Sequence, residues 1–319
     1  MSSDKKFIVS HAPFWHDGSS ISERSYHTML AALPAVLFGI YQYGIAALAV
    51  VSFSISTAII WEFLINKITH RPNTIGDGHA ALMGMIFAML LPVGTPWWIV
   101  LTGTFILVVI GKYIFGGIGS YAFNPMVLAL SILMISWKSY FDFDGALATF
   151  NVDFLAIYPL GAVKHFGSAS IESLSPFGLL MGQQIGALGS TFGLGLILGG
   201  LYLILRGFVR WEIPLSFLAG IFITAMIFNL SDSVRFAGPL FHILTGYTLI
   251  AAFFLATEDA SSPVNSIPML IYGAGAGVMT ILIRNIGAHV EGVLYAILIM
   301  NLIAPLLDKI RPKAIGKVA

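Results

Sequence analysis

The chain has 319 residues, of which 57% are hydrophobic and 10% charged, with a formal net charge of +1 and a mean hydropathy of +0.89. Because soluble domains carry about 25% charged residues, a surface this poor in charge must face lipid. The balanced charge argues against a nucleic-acid partner. The absence of cysteine excludes disulfides, thiolate nucleophiles and cysteine-ligated iron–sulfur clusters from this chain.

Residues 1–26 are polar and predict a segment that lies on the membrane surface, at its cytoplasmic side. Apolar runs follow, each near the roughly 20 residues that a helix needs to cross a bilayer. They cover residues 27–43, 44–66, 78–93, 96–115, 124–138, 190–207, 213–230, 239–257, 268–286 and 290–308. The sequence therefore predicts an all-α integral membrane protein of about ten transmembrane helices. Five lie within 27–138 and five within 190–310, and a cytoplasmic tail covers 311–319.

The distribution of Lys and Arg predicts the orientation, because cytoplasmic loops are rich in these residues. With ten spans and a cytoplasmic start, the inside loops hold twelve of them and the outside loops hold only Lys138, Lys164, Arg235 and Arg284. Both termini are therefore expected in the cytoplasm.

Residues 139–189 form a long outward connection that is rich in Gly, Ser and Asp and has little continuous hydrophobicity. Loops of this length are usually functional or disordered. This segment is the best place for a bulky ligand outside the membrane.

Features of the first five spans recur in the same sequence order in the second five. His79 and His242 occupy matching places, and Lys112 and Arg284 lie near equivalent ends of the two sets. Repeated membrane units with broken helices commonly enclose a site or pathway at their interface. The pattern predicts two parallel repeat units, although ordinary glycines could give a similar spacing by chance. A metal site shared by the two histidines is an alternative to packing or a proton relay.

Several ordered segments resemble the family of Nqr B subunits and Rnf D subunits. Residues 111–119 (GKYIFGGIG), followed by Phe123-Asn124-Pro125, are similar to the family run GKxxFGGxGxNxFNPA, and residues 253–263 are similar to FFxATDPxxSP. Residues 283–308 are similar to IRxxGxxxEGxxFAxLLMNxxxPLID. The likeness covers residues 8–312, and the long N-terminal extension of the Nqr B subunits is missing, which favours the Rnf side.

The resemblance implies a subunit of a complex that couples electron transfer between ferredoxin and NAD to Na⁺ or H⁺ transport in a bacterial or archaeal cytoplasmic membrane. Its partners would be other membrane and peripheral subunits, including flavin- and iron–sulfur-bearing ones. The family's D-type member carries FMN esterified to a threonine of a Ser-Gly-Ala-Thr-Pro motif in the outer loop. The resemblance also implies a second flavin, riboflavin, within the membrane.

This sequence departs from the family at the flavin motif. Aligning Pro176 places Ser175 at the threonine, but Glu172, Ser173 and Leu174 stand where the small Ser-Gly-Ala approach is expected. A serine hydroxyl can form the same phosphoester, so covalent FMN at Ser175, non-covalent FMN nearby and no flavin all stay open. A helix start, with serine as the cap and proline in the first turn, is the simpler explanation.

Other residues could hold a flavin phosphate. The turn at Gly189, Ser190 and Thr191 opens the sixth span and could present backbone N–H groups, although a tight turn into the membrane explains it equally well. Lys112 and Arg284 could fix the phosphate or an anionic ring, although snorkelling to the interface is the commoner role for such residues.

Acidic residues in or beside the spans are candidates for an ion pathway, because carboxylates suit a hard cation. Glu62, Glu258 and Asp308 are the candidates, and Glu258 stands at the acidic position of the family motif. A solvated interfacial position is an alternative for each. Asp77 precedes the third span and could equally serve as a helix cap.

Two other functions fit a membrane protein with repeated, broken helices. One is a solute channel or secondary transporter. The other is a scaffold subunit that has lost its flavin.

Overall fold

The computed structural model describes residues 20–143, 154 and 157–310 of the chain. Its regular elements in this part are all helical, which confirms the predicted class. The expected surface segment up to residue 19, the tail from 311 and the centre of the outer connection lie outside the described residues.

A helix, or a pair of helices, stands at each of the ten apolar runs, and two short helices precede the sixth run. In chain order the helices are α1 (Ile21–Tyr43), α2 (Ile45–Ile68), α3 (His79–Leu90), α4 (Trp97–Phe105, continued as a π-helix over Ile106–Tyr113), α5 (Pro125–Ser136), α6 (Pro159–Phe166), α7 (Pro176–Leu180), α8 (Gly193–Leu205), α9 (Glu212–Ser231), α10 (Pro239–Leu244), α11 (Thr248–Ile250, continued as a π-helix over Ala251–Leu255), α12 (Ser266–Asn285) and α13 (Val293–Leu307).

Only three of the described helices, α2, α9 and α12, are long and apolar enough to cross a bilayer by length and composition. Several of the others are short or broken. α3 has 12 residues, and Gly246 with a φ of 65° separates α10 from α11. Since a 12-residue helix spans about 18 Å, α3 cannot cross a layer of ~30 Å alone. Broken helices of this kind leave backbone groups free to line a site.

Polar side chains fix where the helices begin. The Asn124 side-chain oxygen accepts the N–H groups of Met126 and Val127 at 3.0 and 3.1 Å, and Pro125 occupies the first turn of α5. The Asn124 amide also donates to the carbonyl of Leu255, at the end of the α11 π-helix, at 2.8 Å. One capping residue therefore ties the first five spans to the second five.

Helices pack at small distances where a glycine removes the side chain. A Cβ at Gly199 in α8 would lie 2.0 Å from the carbonyl oxygen of Ala31 in α1. A Cβ at Gly277 in α12 would lie 2.3 Å from the carbonyl oxygen of Phe217 in α9. Close backbone approach at small residues is the usual way in which membrane helices associate.

The contacts define two opposite faces of the bundle. Arg24 at the start of α1 pairs with Asp259, and the Asp308 carboxylate at the end of α13 accepts the Val264 N–H at 3.1 Å. Asp259 and Val264 belong to one connection, so both ends of the described chain lie on one side, which we name the first face. Lys164 and Arg284 mark the second face, at the other end of α12. Among the described residues, the first face carries Arg24, Lys67, Arg71, Lys112, Arg206, Arg210 and Lys309, and the second face carries Lys138, Lys164, Arg235 and Arg284.

We name α1–α5 the first unit and α8–α13 the second unit. Their fourth spans, α4 and α12, run in opposite directions. α4 ends at the first face, where Lys112 meets His79, whereas α12 begins at that face and ends at Arg284. The two units therefore repeat in the same order along the sequence but have opposite orientations across the membrane. Each unit contains five spans, an odd number, so the second unit begins at the face opposite to the one where the first unit begins.

Candidate functional site

An ion pair lies buried beneath the first face. The Lys112 Nζ is 2.9 Å from the Glu62 Oε2, and the two side chains are 1% and 0% exposed. Lys112 stands in the π-helical end of α4 and Glu62 in the last third of α2. The sequence suggested an ion-pathway or interfacial role for Glu62 and a flavin contact for Lys112. The structure instead makes each the other's partner, so neither is solvated and the Lys112 ammonium is not free for a phosphate.

The connection between α2 and α3 completes this cluster. The Thr74 hydroxyl donates to the second Glu62 oxygen at 2.6 Å, and the His79 Nδ1 lies 3.4 Å from the Lys112 Nζ. The Asp77 carboxylate accepts the His79 N–H at 2.8 Å, which stabilises the start of α3. One polar network therefore contains Glu62, Asp77 and Lys112. Glu62 and Lys112 are 50 positions apart in the sequence.

A cavity of about 1000 Å³ opens at the first face between the two units. Carboxylates of Glu258, Asp259 and Asp308 line it, together with His79 and Tyr121. Cavities of this volume are typical of small-molecule and ion sites. Two ion-pathway candidates, Glu258 and Asp308, thus face one space, and His79 connects that space to the buried Glu62–Lys112 pair.

Glu258 accepts hydrogen bonds at both of its carboxylate oxygens. Tyr121 donates to its Oε1 at 2.5 Å, and the N–H and hydroxyl of Ser261 donate to its Oε2 at 3.1 and 2.9 Å. Burial raises the pKa of the Glu258 carboxyl above its ordinary value, and the hydrogen bonds from Tyr121 and Ser261 act in the opposite direction. Tyr121 was not foreseen from the sequence, because a lone tyrosine in a glycine-rich turn gives no periodic signal.

A second buried ion pair lies beneath the second face. The Arg284 Nη2 is 3.1 Å from the Glu291 Oε2, and both side chains are 2% exposed. The Tyr158 hydroxyl and the Tyr247 N–H donate to Glu291 at 2.8 and 3.3 Å. Arg284 also donates to the His242 carbonyl at 2.9 Å. Glu291 was not foreseen as a site residue, although the resemblance contained its Glu-Gly motif.

The two units therefore place similar residues at opposite faces. In each, a cation at the end of the fourth span contacts a histidine at the beginning of the third, Lys112 with His79 and Arg284 with His242. The anions differ, since Glu62 comes from α2 and Glu291 from the connection before α13. Because His79 and His242 lie at opposite faces, they cannot bind one metal ion together.

The candidate flavin residues lie in two different environments. Ser173, Ser175 and Pro176 are exposed, and the Ser175 hydroxyl caps α7 by accepting the Gly178 N–H at 3.0 Å. Gly189, Ser190 and Thr191 are buried instead. The Gly189 N–H donates to the Met89 carbonyl at 2.9 Å, and the Ser190 N–H donates to the Ala187 carbonyl at 3.1 Å. The first hydrogen bond holds the turn against the end of α3, and the second lies within the turn. The N–H groups of Gly189 and Ser190 are therefore not available to a phosphate.

Lys164 joins the outer connection to the second unit. From α6, its ammonium donates to the carbonyls of Arg284, Gly287 and His289 at 3.1, 2.6 and 2.6 Å. Burial lowers the pKa of Lys164 below its ordinary value. Arg284 lies in the last turn of α12, and Gly287 and His289 follow the helix, so Lys164 places a cation at a helix C-terminus.

Replacing Lys164 by methionine should loosen the outer connection, because three hydrogen bonds from one ammonium are lost while its aliphatic volume is kept. Charge-assisted hydrogen bonds each contribute about 1.5–3 kcal/mol. We expect limited proteolysis in membrane vesicles to cut the connection at least about tenfold faster. Lys138→Met, just before the connection, changes an exposed lysine that makes no such contact with the described residues and should leave the rate unchanged. Equal rates in both variants would contradict the role of Lys164.

Comparison with known proteins agrees with this architecture. A sequence model of the NQR2, RnfD, RnfE family matches residues 8–316. The D-type component of the proton-translocating ferredoxin:NAD(+) oxidoreductase complex of Clostridium ljungdahlii is 35% identical, over 95% of this chain and 94% of its own length. The corresponding component of the Na(+)-translocating ferredoxin:NAD(+) oxidoreductase complex of Acetobacterium woodii is 32% identical, over 94% of this chain and 92% of its own length. The D-type component of an ion-translocating oxidoreductase complex of Halorhodospira halophila is 33% identical, over 91% of this chain and 90% of its own length. The chain is therefore a multi-pass membrane protein of the NQR2, RnfD, RnfE family.

Proposed function

We propose that this chain is the D-type membrane subunit of an ion-translocating oxidoreductase that couples electron transfer between ferredoxin and NAD to the transport of Na⁺ or H⁺. Support comes from the relatives whose names state this activity and which the chain matches over nearly their full length. The observation that carries the proposal to this chain's own residues is the cavity between the units, lined by Glu258 and Asp308.

The ion would enter at the first face. The Glu258 carboxylate offers oxygen ligands in a cavity that the Asp308 carboxylate also lines. Beyond it, the Glu62–Lys112 pair would close the path, because its two charges are buried and lie 2.9 Å apart. The Arg284–Glu291 pair closes the opposite end of the second unit. Passage would require these pairs to open in turn, a movement that the electron-transfer reaction would drive.

The electron carrier that we propose is FMN held without a covalent bond at the outer connection, where it would accept and donate electrons singly or in pairs. The geometry at Ser175 supports the non-covalent form. Its hydroxyl oxygen already accepts an N–H at the start of α7, and Glu172, Ser173 and Leu174 replace the small residues of the family motif. We place riboflavin, as a second flavin, in the first-face cavity, whose volume suits a tricyclic ring.

Partners and location follow from the same proposal. Iron–sulfur clusters must reside on other membrane and peripheral subunits, since this chain has no cysteine. We place the complex in a bacterial or archaeal cytoplasmic membrane, with the first face in the cytoplasm because it carries more Lys and Arg.

Inverted vesicles that contain the whole complex test the function. Reduced ferredoxin and NAD should drive uptake of ²²Na⁺ or of protons, and deletion of this chain should abolish both uptake and NADH formation. Loss of neither would contradict the proposal. Solute flux that requires this chain but needs no electron donor would favour a transporter instead.

The flavin has its own test. The purified complex should release FMN on acid denaturation, and this chain should show no in-gel flavin fluorescence. Ser175→Ala should keep the FMN content unchanged, because no ester is formed there. A fluorescent band that disappears in Ser175→Ala would show a covalent link, and a complex without flavin on this chain would indicate a scaffold.

A further inference from the structure

A smaller cavity, of about 340 Å³, opens at the second face. It is bounded by α6, by the connection between α9 and α10, and by the end of α12. Lys164, His165, Arg235, His242 and Arg284 line it, and its described lining contains no Asp or Glu. Arg235 and His165 are exposed at the rim, whereas His242 and Arg284 are 2% and 4% exposed at the floor. The proposed function assigns no ligand to this cavity, although Arg284 of the closing pair lies at its floor.

Buried nitrogen atoms at the cavity lack hydrogen-bond partners in the described part of the chain. They are both ring nitrogens of His242, the Nε of Arg284 and the Nδ2 of Asn285. A buried donor without a partner costs about 1–3 kcal/mol, and native proteins rarely leave one unexplained. Here three side chains carry such atoms and line one small cavity. A neutral imidazole has one donor nitrogen, so a group that accepts several hydrogen bonds would satisfy that donor, the Arg284 Nε and the Asn285 amide together.

The charges near the cavity favour an anion. Two carboxylates lie near the cavity: Glu291, which receives Arg284, the Tyr158 hydroxyl and the Tyr247 N–H, and the exposed Asp232, which accepts the Arg235 N–H at 3.1 Å. The Lys164 ammonium donates to the uncharged carbonyls of Arg284 and Gly287, so it keeps its positive charge. With Glu291 set against Arg284 and Asp232 against Arg235, the positive charge of Lys164 remains.

We propose that this cavity binds a phosphate oxyanion. Its oxygens accept hydrogen bonds in several directions, which fits the divergent donors of an arginine, a histidine and an amide. His242 and the Arg284 Nε would contact the oxyanion at the floor, and Arg235 would close the rim. The phosphate could come from a soluble phosphate compound or from the headgroup of an anionic lipid, since the rim also contains exposed Ile286.

The test uses the full chain in phosphatidylcholine nanodiscs, with inorganic phosphate as the probe. Calorimetric titration at constant ionic strength should show saturable binding to one site. His242→Phe keeps the volume of the floor but removes its donors, and Arg235→Gln removes the charge at the rim. Each should weaken phosphate binding about tenfold or more, because charged hydrogen bonds are lost. Lys67→Gln removes an exposed charge at the first face and should bind like the wild type.

A second arm distinguishes the sources. Nanodiscs with phosphatidylglycerol should compete with inorganic phosphate if the headgroup occupies the cavity, and native mass spectrometry should find bound phosphatidylglycerol lost in both variants. Unchanged phosphate affinity in Arg235→Gln and His242→Phe would overturn the proposal. It would also be overturned if neither inorganic phosphate nor phosphatidylglycerol bound to a wild-type chain that is folded by circular dichroism.

Discussion

Replacing Lys112 by methionine should destabilise the chain by about 3–5 kcal/mol, the usual cost of removing one partner from a buried ion pair. Methionine fills a similar volume, so the loss comes from Glu62, which would stay 0% exposed with no opposite charge within 4 Å. The Thr74 hydroxyl can satisfy one Glu62 oxygen but cannot neutralise the charge. Equilibrium unfolding in mixed micelles with increasing sodium dodecyl sulfate measures the change.

A double variant separates the contribution of the ion pair to stability from the contribution of the surrounding packing. Glu62→Gln with Lys112→Met removes both charges and should recover most of the lost stability, because no buried charge is left. Lys67→Met, at the exposed end of α2, is the matched control and should unfold like the wild type. If Lys112→Met alone were as stable as the wild type, the pair would not hold α2 against α4, and it could not close the proposed path.

Replacing Glu258 by glutamine in the complete complex should lower ion-coupled turnover by about tenfold or more. Glutamine keeps the size, and its single oxygen can keep the Ser261 hydrogen bonds while its amide nitrogen faces the Tyr121 hydroxyl, but it has no negative charge for a cation. A loss of about 1.4 kcal/mol in ion affinity already gives a tenfold effect. Uptake of ²²Na⁺ or of protons in inverted vesicles, divided by NADH formed, reports the coupling.

The pH profile sharpens this test. Burial raises the pKa of Glu258, so in the wild type the carboxylate takes up its proton at a higher pH than an exposed glutamate does. If the coupling ion is Na⁺, wild-type uptake should fall as the pH drops through that pKa, and Glu258→Gln should lack this acidic decline. Glu172→Gln, exposed in the outer connection, should behave like the wild type. Unchanged coupling and an unchanged profile in Glu258→Gln would remove this residue from the pathway.

The sequence by itself determined the class of the protein and the places of its spans. Apolar runs, low charge and the Asn124-Pro125 breaker are local signals, because a helix in lipid needs only its own residues to satisfy its backbone. Each of the ten predicted runs accordingly contains a helix or a broken pair. Histidines and cations at matching places, such as His79 with Lys112, were also visible along the chain.

Only the tertiary structure decided which charges meet and which are free. Glu62 and Lys112 are 50 residues apart, so no local pattern could show that they neutralise each other. The opposite direction of α4 and α12 followed from the contacts of their ends, not from the order of the motifs. The same holds for the basic cavity at the second face, because an unpartnered side chain such as His242 can be recognised only once its neighbours in space are known.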